Sequence, residues 1–150
     1  MLIEKNLPDN YFRNDNHKSL ANIYLTSCFI SEKTKHFLEK EDLTPQQYNI
    51  LRILRQSNIA LSTLRIREMM IDKMSDTSRI VERLVKKDLV HKQTSRHDKR
   101  LVDVSLSGKG IQLVDRLENR TNEVDSLLDH LTKEDLAQLN HLLNKIRDQQ

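Results

Sequence analysis

The sequence predicts a mainly α-helical protein of the α+β class, with one β-hairpin inserted among its helices. Three observations predict this fold. Apolar residues recur every three or four positions, the helical period, along most of the 150-residue chain. Strand-like alternation replaces that period only between residues 89 and 106. Serine, threonine or aspartate stands where most of the helical stretches begin, as helix caps do.

The N-terminal part of the chain predicts two helices. The first covers residues 17–41, where apolar residues recur at helical spacing. The second begins after Thr44, which precedes Pro45 and is followed three residues later by Gln47. This order is typical of a capping box with proline at the first helical position. We expect the second helix to end near Gln56.

Two shorter helices with a tight break between them come next. Ser62 is placed to cap the first of them, and the polar pair Asp72-Lys73 interrupts it. The second short helix extends from about Ser75 to Lys87. Such a pair is typical of a helix-turn-helix. We expect the apolar side of the second short helix in the core, namely Ile80, Val81, Leu84 and Val85.

A hairpin is predicted after the fourth helix. Residues 89–94 and 101–106 each have strand length, and the second segment alternates apolar with polar side chains. The connecting loop, residues 95–100, holds four charged side chains, three of them basic, and no apolar residue. We therefore expect the whole loop to lie outside the core.

Two further helices are predicted at the C-terminal end. Ser107 can cap a fifth helix, whose residues from Val114 to Leu131 have the three-and-four spacing of a helix packed along another helix. A sixth helix begins at Thr132, with Asp135 in the capping position. Its leucine stripe consists of Leu136, Leu139, Leu142, Leu143 and Ile146.

Composition excludes several classes of function. A formal net charge of +3, 31% charged residues and no long apolar run exclude a signal peptide and a membrane helix. A single cysteine, Cys28, excludes a disulfide framework and is compatible with the reducing cytoplasm. Its apolar neighbours predict that Cys28 is buried. Two glycines provide no phosphate-binding loop, and the six histidines are scattered, so we expect no cofactor, metal site or catalytic site.

The charge is unevenly distributed along the chain. Residues 65–100 carry 11 basic and 6 acidic side chains, whereas residues 111–150 carry 5 basic and 8 acidic ones. This segregation favours an anionic partner for the middle of the chain. A solvated basic face without a partner explains the charge equally well at this stage.

The order of elements describes a winged helix-turn-helix with a helix or helices added at each end. Within that order, the segments 74–87, 89–90, 98–100 and 104–110 resemble the MarR family of transcriptional regulators. The most specific part is the pair Asp98 and Arg100, and the resemblance covers nearly the whole chain. Asp88 stands where family members usually have glycine, a substitution that costs about 1 kcal/mol in a left-handed turn.

The resemblance implies three regions and a set of DNA-binding residues. It places a tail and dimerisation helix at 1–41, a winged helix-turn-helix at 42–107 and dimerisation helices at 108–150. Arg79 has the geometry to donate two hydrogen bonds to a guanine, whereas Asp76 is favoured as a cap. The resemblance assigns minor-groove contact to Arg100 in the wing, with Asp98 steadying neighbouring arginines. The complete set is Ser75, Thr77, Ser78, Arg79, Arg83, Arg96, Asp98, Lys99 and Arg100.

The partners expected from this resemblance are double-stranded DNA, a second copy of the chain and a small aromatic or phenolic effector. The recognition helix, which enters the major groove, is the second short helix, residues 75–87. One such helix reads only a few base pairs, so a specific regulator, here a repressor, needs two of them. Two alternatives stay open. One is a winged-helix module that binds protein instead of DNA, and the other is a thiol redox-sensing regulator that uses Cys28.

Overall fold

A computed structural model describes residue 8 and residues 11–95 and 102–148 of the chain. The chain divides into two compact units, Met1–Val114 and Asp115–Gln150. Seven helices, three strands and one 3₁₀ turn occur in the described residues. In chain order they are α1 Asp15–Glu39, α2 Pro45–Ser57, β1 Leu61–Ser62, α3 Thr63–Met69, α4 Thr77–Lys86, β2 Val90–Thr94, β3 Val102–Leu106, α5 Gly108–Glu118, α6 Asn122–Asp125, the 3₁₀ turn Ser126–Leu128 and α7 Lys133–Arg147.

The predicted caps of α2 and α3 are present. The Thr44 hydroxyl accepts a hydrogen bond from the Gln47 amide at 3.2 Å, and the Gln47 side chain accepts one from the Thr44 amide at 3.0 Å. The Ser62 hydroxyl accepts the Arg65 amide at 3.1 Å. These side chains satisfy amide groups that a helix N-terminus leaves without a partner. The prediction of both helix starts is confirmed.

The core of the first unit forms where α2, α3, α4 and the sheet meet. The predicted inner face of α4 is confirmed, since Val81 and Leu84 are fully buried and Ile80 and Val85 are half-buried. Burying each such side chain contributes about 1.5–3 kcal/mol. The other apolar residues buried in these elements or directly after α3 and α4 are Ile50, Leu51, Ile53, Leu54, Ile66, Met70, Leu89, Val90 and Val104.

The hairpin is confirmed and belongs to a three-stranded antiparallel sheet. β2 pairs with β3 from Val90 opposite Leu106 to Thr94 opposite Val102. β1 pairs with the other edge of β3, which gives the strand order β1-β3-β2. The sequence did not predict β1, because two residues are too few to show alternation. The expectation that the whole hairpin loop lies outside the core is wrong at Ser95, which is buried.

In the second unit, the prediction of one helix continuing to Leu131 is wrong. α5 ends at Glu118, and the Arg120 amide then bonds to the Leu117 carbonyl at 2.9 Å, a three-residue spacing. The Thr121 hydroxyl donates to the Glu118 carbonyl at 3.1 Å. Such local side-chain bonds compete with the helix ladder, so the chain turns into α6 and the 3₁₀ turn.

The last helix, α7, begins as predicted. The Thr132 hydroxyl accepts the Asp135 amide at 3.1 Å, and the Asp135 carboxylate accepts the Thr132 amide at 3.0 Å. The Thr132 amide and the Thr132 hydroxyl, which donates to the same carboxylate at 2.8 Å, hold the pKa of Asp135 below its ordinary value, because they stabilise the ionised form. The predicted capping box is confirmed.

Helix α1 is largely exposed. Only Phe37 and Leu38 are buried in it, and the exposed fractions of Leu20 and Tyr24 are 65% and 68%. The prediction that Cys28 is buried is wrong for this chain, since its thiol lies on the exposed part of α1. None of the helices in the described ranges combines the length and the apolar character needed to cross a membrane.

The turn after α4 has the conformation that the sequence predicted for Asp88. Its φ is 57°, in the left-handed region. The Asp88 amide bonds to the Val85 carbonyl at 2.9 Å and the Leu89 amide to the Leu84 carbonyl at 3.0 Å. These two bonds form a Schellman motif, in which the left-handed residue ends the helix.

Gly110, in the first turn of α5, approaches this turn closely. A Cβ atom at Gly110 would lie far closer to the Leu89 carbonyl oxygen than van der Waals contact allows, and also close to the Leu106 side chain. The backbone of α5 therefore packs directly on the backbone that follows α4. At Gly108, two residues earlier, a Cβ would meet nothing.

We predict that Gly110→Ala lowers the free energy of unfolding by about 2 kcal/mol or more, because the new methyl group must displace backbone. Gly108→Ala is the matched control and should leave stability unchanged or raise it by up to about 1 kcal/mol, the helix-propensity gain of alanine. Urea unfolding of both variants at one protein concentration checks this. Equal stability of the two variants would contradict the close packing.

Candidate nucleic-acid interface

The outer face of α4 carries the exposed side chains of the candidate interface. Because Val81 and Leu84 face the core, the helical period turns the residues on the opposite side of α4 outward. This outer face carries three basic side chains, one acidic side chain and one serine hydroxyl. The exposed residues are Ser78, Arg79, Glu82, Arg83 and Lys86.

Asp76 caps α4 and also positions Arg79. One carboxylate oxygen of Asp76 accepts the Arg79 amide at 3.2 Å, and the other lies 3.2 Å from the Arg79 Nε. The capping role favoured for Asp76 is confirmed. The Arg79 side chain nevertheless remains 82% exposed, so its terminal guanidinium nitrogens point into solvent at the N-terminal end of α4.

Two of the predicted site residues do not belong to the exposed face of α4. Thr77 is only 4% exposed, and its hydroxyl lies 3.4 Å from the Met70 sulfur. Its position is explained by spacing, because Thr77 precedes the buried Val81 by four residues and so belongs to the same helix face. Ser75 precedes α4 instead of lying within it, and it is half-buried.

The turn between α3 and α4 is organised by one carboxylate. Asp72 accepts the Met74 amide at 3.0 Å and the Ser75 hydroxyl at 2.6 Å. The Ser75 hydrogen bond is the main reason why the pKa of Asp72 lies below its ordinary value, and the Met74 amide acts in the same direction. Ser75 thus has a structural role in the turn that leads into α4.

An ion pair connects α4 to the sheet. The Lys92 ammonium group on β2 donates a hydrogen bond to the Glu82 carboxylate on the outer face of α4. This hydrogen bond, together with the charge of Lys92, holds the pKa of Glu82 below its ordinary value. The acidic group on the outer face of α4 is therefore ionised and compensated by Lys92, and Arg79 is paired with Asp76. The charge of Arg83 and Lys86 is left in excess.

Sequence reasoning did not indicate Lys92 as a partner of Glu82. The Glu82 carboxylate bonds to Lys92 and not to the adjacent Arg83. No sequence signal joins positions 82 and 92, because their approach depends on how β2 folds back beside α4. Arg83 is exposed on α4, one turn after Arg79.

The wing residues predicted to bind DNA lie outside the described residues. They are Arg96, Asp98, Lys99 and Arg100, all in the segment 96–101 between β2 and β3. Within the described ranges, no three histidine, cysteine, aspartate or glutamate side chains are grouped so that they could hold a metal ion.

Comparisons with known proteins agree with this geometry. The sequence model of the MarR family matches residues 43–102. The HTH-type transcriptional repressor MdtR of Bacillus subtilis strain 168 is 30% identical over 110 residues, which cover 73% of this chain and 70% of that protein.

Solved structures share the fold at lower identity. A MarR-like transcription regulator from Bacillus cereus has a TM-score of 0.79 at 20% identity, over 89% of this chain and 96% of that one. The MepR–DNA complex of S. aureus has a TM-score of 0.77 at 22% identity, over 87% and 96%. The organohalide-sensing regulator RdhR, in its 2,4-dichlorophenol-bound form, has a TM-score of 0.84 at 20% identity, over 99% and 88%.

We predict that Lys92→Met raises the pKa of Glu82 toward the ordinary value of a glutamate, because it removes both the hydrogen bond and the largest nearby charge. Lys86→Met is the matched control and should raise the same pKa less, since Lys86 contributes only its charge. A pH titration of the Glu82 carboxyl carbon by NMR measures both values. A larger effect of Lys86→Met would show that Glu82 is oriented differently.

Proposed function

This chain belongs to the MarR family of transcriptional regulators, and from that premise we propose that it is a sequence-specific repressor that binds double-stranded DNA as a homodimer. The observation that carries the proposal is the outer face of α4. That face presents an exposed arginine at the helix N-terminus, further cations along the helix and a neutralised acid between them. This is the side-chain set that a recognition helix needs in a major groove.

Within this proposal, the residues of α4 have different roles. Arg79 is exposed enough to donate two hydrogen bonds to the O6 and N7 of a guanine. Ser78, Arg83 and Lys86 are placed to contact bases or phosphates farther along the same face. Thr77 is left out of the interface because it is buried against Met70, and Ser75 is left out because its hydroxyl is bonded to Asp72 in the exposed turn before α4.

We assign the wing to the adjacent minor groove or its phosphates. Its stem is the β2–β3 hairpin, which starts from the end of α4 and is tied to it by the Lys92–Glu82 pair. Its tip contains Arg96, Lys99 and Arg100, with Asp98 among them. A cationic loop on such a two-stranded stem can reach phosphates beside the groove that α4 occupies.

The proposed dimer uses the apolar side chains that the chain leaves exposed at both ends. On α1 these include Leu20, Ile23 and Tyr24, and on α7 they include Leu142 and Ile146. Exposed apolar surface of this extent marks an interaction site. Pairing of two chains through these helices would bury it and would place two recognition helices on one duplex, about 34–36 Å apart.

We further propose that a small aromatic or phenolic molecule controls repression. The support is one relative of the same fold, RdhR, which is known in a 2,4-dichlorophenol-bound form. Such an effector lowers DNA affinity only as far as it binds the DNA-free arrangement of the dimer more tightly than the DNA-bound one. A regulator of this kind acts where the chromosome is accessible, and we place it in the cytoplasm.

We predict that Arg79→Ala narrows the affinity gap between a selected site and random DNA by about 1–3 kcal/mol, because it removes a base contact. Arg100→Ala should weaken binding to all sequences and reduce the slope of log affinity against log salt by about 0.9, the value for one phosphate contact. Fluorescence anisotropy on both DNA types at several salt concentrations measures these effects. Lys40→Ala, at an exposed position just after α1, is the charge-matched control and should change neither quantity. Identical changes in both arginine variants would overturn the two assignments.

We predict that the chain is a dimer at micromolar concentration and that Leu20→Glu shifts it to the monomer, because a charge would have to be buried in the interface. Gln56→Glu is the control, since it adds the same charge at an exposed position of α2, outside the proposed interface. Light scattering coupled to size-exclusion chromatography gives the mass of each protein. A monomeric mass for the unmodified chain would remove the dimer from the proposal.

A further inference from the structure

Helices α1 and α4 end in the same kind of turn. After α1, the Leu43 amide bonds to the Leu38 carbonyl at 3.3 Å and the Asp42 amide to the Glu39 carbonyl at 3.0 Å, with Asp42 at φ 52°. This repeats the Schellman motif that ends α4 at Asp88. Leu38 and Leu43 are buried, so the end of α1 is anchored in the domain although most of α1 is exposed.

One lysine joins the two helix ends. The Lys87 ammonium group, at the C-cap of α4, donates hydrogen bonds to both the carboxylate and the backbone carbonyl of Asp42. The carbonyl-rich end of a helix carries partial negative charge, which favours a cation at this point. Lys87 therefore holds the last turn of α4 against the turn that follows α1.

The start of α5 is attached to the same place. The Lys109 ammonium group donates to the Lys87 carbonyl at 2.9 Å, and the Ser107 hydroxyl donates to the Asp88 carbonyl at 2.6 Å. Gly110 adds the close backbone approach at Leu89. We call Asp42, Lys87, Asp88, Ser107 and Lys109 the helix-end cluster.

We propose that Lys87 and Asp42 are positioning residues that fix the direction of the recognition helix relative to α1, and hence the half-site spacing that the dimer accepts. This inference rests on the proposed dimer and DNA-binding function. If α1 pairs with its counterpart across the two-fold axis, every link between α1 and α4 contributes to the separation of the two α4 helices. A half-site is the part of the DNA site that one chain of the dimer contacts. Adding one base pair between the two half-sites moves them apart by about 3.4 Å along the duplex, and a dimer of fixed geometry can no longer contact both.

The exposure of the two side chains means that variants of this pair should still fold, so a change in helix direction can be measured separately from a loss of stability. The Asp42 side chain is 96% exposed and that of Lys87 is 29% exposed. Ion pairs at such sites contribute little to stability. Asp42 also sits in a left-handed turn that asparagine adopts readily, so Asp42→Asn removes the charge without disturbing the backbone.

The first experiment measures the geometry without DNA. A spin label at position 78, introduced as Ser78→Cys in a Cys28→Ser background, gives the distance distribution between the two α4 helices of a dimer. We expect one narrow peak for the otherwise unmodified protein and a broadened or shifted peak with Lys87→Met. Asp42→Asn should give an intermediate result, because Lys87 keeps the Asp42 carbonyl. Lys87→Arg, which retains a cation, should restore the narrow peak.

The matched control is Lys40→Met, the same chemical change at an exposed position near the end of α1. It should leave the distribution unchanged. A dimer in which Lys87→Met has the same narrow distribution as the control would overturn this inference alone. A chain that stays monomeric would contradict the proposed dimer and this inference with it.

The second experiment measures spacing on DNA. Binding is compared on a site selected from random duplexes and on copies with one base pair inserted or removed between its halves. Lys87→Met should reduce the preference for the selected spacing by up to about fivefold for each ion pair lost, the most that an exposed pair contributes, whereas Lys40→Met should not change it. An unchanged preference in Lys87→Met would overturn the inference. A protein that ignores every duplex would instead refute the proposed function.

Discussion

The structure depends on the turn at Asp88 and Leu89, where one carbonyl group organises three elements. The Leu89 carbonyl accepts the Ser107 amide at 3.0 Å and lies so near Gly110 that no side chain fits there. Because β2 starts directly after this turn and α5 starts beside it, the end of α4, the base of the hairpin and the start of α5 have a fixed arrangement. The exposed cations of α4 are held on that arrangement, so their geometry is set by backbone contacts rather than by the side chains themselves.

Sequence reasoning predicted those parts of the fold that local chemistry determines. The capping boxes at Thr44 and Thr132 and the left-handed turn at Asp88 each involve residues within a few positions of one another. It failed where distant segments decide, since β1 exists only because β3 pairs with it. It also failed where Thr121 offers the backbone a competing hydrogen bond, which the regular apolar spacing of that segment conceals.

The candidate site divides in the same way. The capping role of Asp76 and the exposure of Arg79 follow from the position of α4 in the sequence. The burial of Thr77 could also have been predicted, because its spacing from Val81 and Leu84 places it on their face of the helix. Its polar side chain instead led to the prediction that it contacts DNA. The Lys92–Glu82 pair could not be predicted, since it connects a helix to a strand that lies beside it only in the folded chain. Because this pair cancels the acidic charge of Glu82 on the outer face of α4, the feature of the site that could not be predicted from the sequence is its charge balance.

The contrast between the two ends of α1 connects the fold to the proposed regulation. Its last turn is buried through Phe37 and Leu38, and the turn that follows it is bonded to Lys87 of α4, whereas Leu20 and Tyr24 remain exposed. In the proposed dimer, the second chain covers the exposed apolar part of α1. The pairing of α1 would then also set the direction of α4. Control of DNA affinity then requires no change within the helix-turn-helix, since a small shift in the pairing of α1 changes the separation of the recognition helices.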